Sequence, residues 1–215
     1  MLFSDFLIDN YPIDKAGRKK DVPNDKTHWG KPYLKILIII VFVVWYSLFL
    51  VQKIDLSVVD LGRHLTNGRV VLKNVAGNMS TLKTNYYSYT NSNYPVINHH
   101  WGSGLLFYLF FIVGSFNGAH LLFIFASVAA FYLFFEIAIK AGGFNIAAVL
   151  SILLIPLVGS RIEVRPEVFS LLFSGIFTSV LWQYRENQNN WHPLLILPIL
   201  ELFWVNLHIS ELSAY

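Results

Sequence analysis

Five long apolar runs recur along the chain, and a polar stretch covering residues 52–101 separates the first from the rest. The runs are residues 36–51 and then, approximately, 118–139, 144–159, 168–184 and 193–208. At ~1.5 Å of rise per residue, a helix of about 20 such residues crosses a ~30 Å hydrocarbon core. The run 144–159 is short for that task and needs bilayer thinning or help from its flanks. Lys140-Ala-Gly-Gly, residues 160–167 and the Asn-rich residues 185–192 link the later runs with turn-forming chemistry.

The apolar segment 105–113 is only nine residues long, and Gly102, Gly104 and Gly114 bound it. Its length predicts an interfacial or re-entrant element. On that reading the chain crosses five times, and the 52–101 stretch, the 160–167 link and the C-terminal end share the outer face. If the segment spans, the 160–167 link moves inside. Loop charge does not decide between them, because Lys140 and Arg185 favour one side and Arg161 and Arg165 the other. We adopt the interfacial reading because it gathers the polar segments.

The expected fold is therefore all-α: a polytopic membrane helical bundle of about five transmembrane helices, with interfacial helices in a long first outer loop. Residues 1–33 form a basic cytoplasmic tail, and residues 34–215 form the membrane domain, with the outer loop at 52–117.

Composition agrees. Hydrophobic residues make up 55% of the chain and charged residues 13%, about half the charged share of a soluble domain. Mean hydropathy is +0.51. Much of the basic excess precedes the first run, at Lys15, Arg18, Lys19, Lys20, Lys26, Lys31 and Lys35. The positive-inside rule places that tail in the cytoplasm, solvated beside anionic lipid instead of holding nucleic acid. Asp5 and Asp9 interrupt the opening residues, and the basic residues follow them, so this is not a secretory signal. There are no cysteines, which excludes disulfides and thiolate metal sites.

Four polar constellations carry candidate chemistry. In residues 57–72, Asp60, Arg63, His64 and Asn67 stand at i, i+3, i+4 and i+7, which predicts one polar face of an amphipathic helix. Leu61 and Leu65 are left to face lipid or protein. The plain alternative is a helix on headgroups with solvated charges; a carboxylate beside His64 can instead act as general base toward a hydroxyl.

Asn98-His99-His100-Trp101 comes second. Neighbouring histidines on a helix point about 100° apart, and no metal-ligand spacing accompanies them. They suit hydrogen bonding to a polar headgroup or sugar, or a plain interface turn anchored by Trp101. No metal is assigned; a divalent cation is compatible with the pattern and not indicated by it. The third is residues 161–167, where Arg161 and Arg165 can grip a phosphate through forked hydrogen bonds or simply reach headgroups. The fourth is Trp204-Val-Asn206-Leu-His208, whose Asn206 and His208 are costly at membrane depth unless they face protein or a cavity. Glu136 has Lys140 one turn away and reads as structural, while Glu201 has no evident partner.

In this order the segments resemble the N-terminal half of GT-C type membrane glycosyltransferases, which include protein mannosyltransferases and bacterial aminoarabinose transferases. The pattern is similar to bacterial multi-spanning proteins with D-x-G-x-H-x-x-N-G, N-H-x-W, R-P-x and W-x-N-x-H segments. Here these are residues 60–68, 98–101, 165–167 and 204–208. The resemblance implies a cytoplasmic N-terminus, a bacterial plasma membrane location and a polyprenyl-phosphate-linked sugar as donor. The acceptor would be a glycan, a lipid or a protein on the outer face.

By the same resemblance Asp60 is the base and His64 orients it or the acceptor. Arg161 and Arg165, by placement, hold the donor phosphate. Asn67, His99, His100, Asn206 and His208 contact substrate. Neither a nucleotide-sugar site nor nucleic acid is expected. The chain departs from the better-known members, which show an Asp-Glu pair where Asp60 is followed by Leu61. It also ends before their further spans, so it is expected to be an N-terminal portion. Two other classes remain open: a transporter or flippase subunit with Glu136, Glu201 and His208 along its path, and a non-catalytic membrane scaffold.

Overall fold

The computed structural model describes residues 31–54, 60–74, 100–208 and seven positions (83, 85, 88, 90, 91, 94 and 98) of the intervening stretch. Within the described residues all regular structure is helical. Helix α1 is Pro32–Leu50, α2 Leu61–Asn74, α3 Trp101–Gly142, α4 Phe144–Gly159 and α5 Glu167–Glu186; a 3₁₀ turn, His192–Ile196, leads into α6, Leu197–Leu207.

Local sequence explains most of these boundaries. Pro32 opens α1, where its missing N–H costs nothing. Gly143, at φ 85°, separates α3 from α4 with a backbone conformation that other residues adopt only under strain. The apolar run 193–208 is split into two helical types, with Pro193 in the 3₁₀ turn and Pro198 in the first turn of α6.

Helix α3 is continuous only in its outer bounds. Gly114 and Ser115 leave helical geometry, and Ser115 sits at φ 54°. A β-carbon on Gly118 would collide with the Phe110 carbonyl, whereas eight residues along a straight helix lie ~12 Å apart. The chain therefore reverses at residues 114–115 into a helical hairpin, with a short limb at 101–113 and a long limb at 116–142. The short limb is the segment whose length argued against a crossing.

Contacts fix the direction of every element. The long limb runs antiparallel to α1: His120 Nε2 lies 2.9 Å from the Leu50 carbonyl, and Phe131 and Phe135 meet Tyr46 and Phe42 at 5.3 and 5.9 Å between ring centroids. Helix α4 runs parallel to α1, with Lys35 over the Phe144 ring and Gly159 against Phe49. Helix α5 turns back, placing Phe169 on Phe107 and Gly175 against Leu133. Helix α6 returns beside α5, with Trp204 on Phe173 and Phe177. The ends of α1, α4 and α6 and the starts of the long limb and α5 thus meet at one end of the bundle.

The core is aromatic and small-residue packing: Phe42, Phe107, Phe123, Phe135 and Phe169 close over Ala119, Ala126 and Ala147. Around it the outer surface is also apolar. Leu37, Ile40, Val44 and Leu48 of α1 and Leu153, Leu154 and Leu157 of α4 stand exposed. Two helices, Pro32–Leu50 and Trp101–Gly142, are long and apolar enough to cross a membrane; Phe144–Gly159 and His192–Leu207 are shorter apolar elements.

Candidate functional site

The convergent end of the bundle collects most of the polar residues singled out in the sequence. Helix α2 lies there against the short limb of the hairpin. Gly68 and Gly104 make this contact possible: a β-carbon on Gly68 would collide with the Gly104 carbonyl, and one on Gly104 would come within 2.8 Å of the His64 carbonyl. With no side chains between them, the two backbones touch.

That packing buries the side of α2 that carries Leu61 and Leu65, the apolar side expected from the sequence. Its buried stripe is Leu61, His64, Leu65, Gly68 and Val71, while Arg63 and Asp60 are exposed and Asn67 is half-buried. The edge of the buried stripe therefore divides the four polar residues, with His64 inside it and Asp60 and Arg63 outside. His64 falls in the stripe set by Leu61, Leu65 and Val71, and burying that stripe takes the histidine inside. The Asp60 carboxylate instead pairs with Arg63 at 3.1 Å in the exposed first turn.

Burial lowers the His64 pKa from 6.5 to about 4. The nearby Arg63 charge pushes the same way, Asp60 pulls against it, and His208 adds a smaller push downward. At neutral pH the imidazole is therefore uncharged, able to donate through one nitrogen and accept through the other.

The second and fourth motifs meet directly. His100 stacks on His208 with ring centroids 4.9 Å apart and planes 12° from parallel. Beside them Trp101 Nε1 donates to Asn206 Oδ1 at 2.8 Å. A β-carbon on Gly102 would stand 2.7 Å from the Asn206 carbonyl, so glycine again admits the close approach. The Asn206 amide nitrogen is used within its own helix, donating to the Leu202 carbonyl at 2.7 Å.

Ser170, on α5, extends the network. Trp204 Nε1, which can only donate, reaches Ser170 Oγ at 2.9 Å, and that oxygen lies 2.7 Å from His208 Nδ1. The hydroxyl proton has a near acceptor in Nδ1 and a poor one in the His208 carbonyl at 3.5 Å. The neutral tautomer favoured at His208 is thus protonated at Nε2.

Arg161 and Arg165 lie on the link between α4 and α5 at this same end. Arg161 is exposed; Arg165 is half-buried and held by Glu163 at 2.6 Å and Glu167 at 3.9 Å. His99 lies outside the described residues. Among the described residues no three histidine or acidic side chains gather to hold a metal ion. Glu201 is exposed on α6 and Glu136 is partly buried in the long limb of α3, with Lys140 one turn on.

Sequence reading overlooked Ser170, because a serine inside an apolar run has no signal of its own. It also overlooked the cleft beside α2, an open hollow of about 460 Å³ lined by Asp60, Arg63, Arg69, Tyr108, Phe111 and Phe116. Set against known protein families, curated proteins and solved structures, the chain matches none of them.

Proposed function

We propose that the chain is a membrane glycosyltransferase that takes a sugar from a polyprenyl-phosphate donor and passes it to an acceptor hydroxyl on the outer face. The ordered motifs suggest the chemistry. The observation that carries the reading is their convergence: the His100–His208 stack and the Trp101–Asn206 hydrogen bond join two of them, and the contact of Gly68 and the His64 carbonyl with Gly104 seats a third beside them.

On this reading α1, the long limb of α3, α4, α5 and the 3₁₀–α6 element each cross the bilayer, and the hairpin's short limb lies in the interface. The apolar outer surface supports that placement, since lipid solvates such side chains better than water does. The N-terminal tail is cytoplasmic, and the polar end faces outward.

Asp60 accepts the proton of the acceptor hydroxyl as its oxygen attacks the anomeric carbon. The bond from that carbon to the donor phosphate breaks, and its electron pair leaves with the phosphate. Arg161 and Arg165 offset the charge that develops there. Neutral His64, with His100, His208, Asn67 and Asn206, supplies hydrogen bonds that orient the sugars.

The test is transfer from a short-chain polyprenyl-phosphate sugar by membranes carrying the chain. Asp60→Asn is expected to slow transfer by about 10²–10⁴-fold with insertion unchanged, the range a positioned general base contributes. Wild-type transfer by that variant would remove Asp60 from the role.

A further inference from the structure

We infer that the cleft beside α2 binds a single phosphate-headed amphiphile, with its headgroup on Arg69 and Arg63 and its apolar part on the hairpin. The inference goes beyond the transfer reading, which places the donor phosphate on Arg161 and Arg165; Asp60 lines this cleft too, but the readout is binding alone, so either reading can fail without the other.

Three features of the cleft point to that chemistry. One wall is cationic. Arg63 and Arg69 stand two three-residue steps apart on α2, with Thr66 between them, and all three are exposed to the cleft. Asp60 is the anionic group on this wall, and it pairs with Arg63. Arg69 makes no ion pair among the described residues, so the wall keeps net positive charge. A guanidinium matches phosphate oxygens with paired N–H donors, which suits an anionic phosphate better than an uncharged headgroup.

The opposite wall is aromatic: Tyr108, Phe111 and Phe116. Phe116 meets Phe111 edge-on at 5.1 Å, and Tyr108 lies along Phe111 at 6.4 Å. These rings come from both limbs of the hairpin, so the reversal at Gly114 and Ser115 creates this wall.

The third feature is what lies next to it. The hairpin tip exposes Phe110, Ile112 and Val113, the last 90% accessible. Apolar surface thus runs from the tip to the aromatic wall and ends at the arginines. A free anion would use only the cationic wall, and a neutral lipid only the aromatic one. An amphiphile with a phosphate head uses both.

The test is calorimetric titration of the full chain in detergent micelles with dioctanoyl phosphatidic acid, dioctanoyl phosphatidylcholine and inorganic phosphate. Phosphatidic acid is expected to bind one to one, at least tenfold tighter than either of the others. Arg69→Gln is expected to weaken it at least tenfold, and Lys140→Gln, at the other end of the bundle, to leave it unchanged. Phe116→Ala provides a second variant that removes apolar wall without touching charge, and it too should weaken binding. Equal affinity for phosphatidylcholine, whose choline cancels the phosphate charge, or full affinity in Arg69→Gln, overturns the cationic half. Inorganic phosphate binding as tightly as the lipid overturns the apolar half and assigns the cleft to a free anion.

Discussion

Trp101 Nε1 donates to Asn206 Oδ1 at 2.8 Å across 105 residues of sequence, and this bond joins the start of the hairpin to the end of the last helix. The His100–His208 stack lies alongside it, and Ser170 ties His208 to α5. Three elements are thereby held at the same end by directional contacts in addition to apolar packing.

Removing this bond should loosen that end. Trp101→Phe keeps the ring and deletes the donor, leaving Asn206 Oδ1 unsatisfied at a cost of about 1–3 kcal/mol. Asn206→Ala should cost a similar amount, and the double variant less than the sum, because both delete one interaction. Thermal unfolding in detergent measures all three; strict additivity would show that the bond carries no coupling.

The two glycine environments of α2 predict opposite signs. Gly68→Ala drives a methyl into the Gly104 backbone and should destabilise by about 1–3 kcal/mol, as overpacking does. Gly62→Ala meets nothing within 4 Å and should stabilise the helix by about 0.5–1 kcal/mol. Amide hydrogen exchange across residues 61–74 distinguishes them, with protection falling in the first and rising in the second.

His64 gives a pH dependence of definite sign. Its pKa falls from 6.5 in the unfolded chain to about 4 in the folded one. Between those values the unfolded state binds more protons, so stability declines as pH drops from about 6.5 toward 4 and levels off below. The full loss is on the order of 3 kcal/mol. His64→Gln, which does not titrate, should flatten this part of the profile relative to wild type. Chemical denaturation at a series of pH values gives the comparison; parallel profiles would contradict it.

The five-crossing reading places Ser160 and Lys83 on one side of the membrane and Lys140 on the other. The chain has no cysteine, so single replacements at these positions can be labelled cleanly with an impermeant maleimide on intact cells. Ser160→Cys and Lys83→Cys should label and Lys140→Cys should not. Labelling of Lys140→Cys with protection of Ser160→Cys would invert the orientation.

Arg161 and Arg165 differ in their surroundings, and on the proposed transfer reading donor affinity should reflect it. Arg165 is already engaged by Glu163 and Glu167, while Arg161 is exposed. Arg161→Gln should raise KM for the donor by about 10–100-fold, the worth of ~1.5–3 kcal/mol for a charge-assisted hydrogen bond. Glu163→Gln should change KM in the opposite direction by freeing Arg165. Steady-state transfer kinetics read both; an unchanged KM in Arg161→Gln would remove it from the donor site.

Much of this molecule was legible along the chain. The apolar runs became helices within a few residues of their expected limits, and the short segment 105–113 was separated from the next run, as its glycine-bounded length required. These features depend on composition, periodicity and turn residues, all of which act over a few positions. The apolar side of α2 was legible in Leu61 and Leu65, but the burial of His64 was not. Spacing put Asp60, Arg63, His64 and Asn67 within one arc, and where burial cuts that arc depends on the partner. Gly68 against Gly104 set that line by allowing backbone contact, which took His64 inward and left Asp60 outside with Arg63. The sequence by itself determined the helices, their breaks and an apolar exterior. The tertiary structure alone decided which polar residues meet, because meetings such as Trp101 with Asn206 depend on long-range backbone approach that no local pattern encodes.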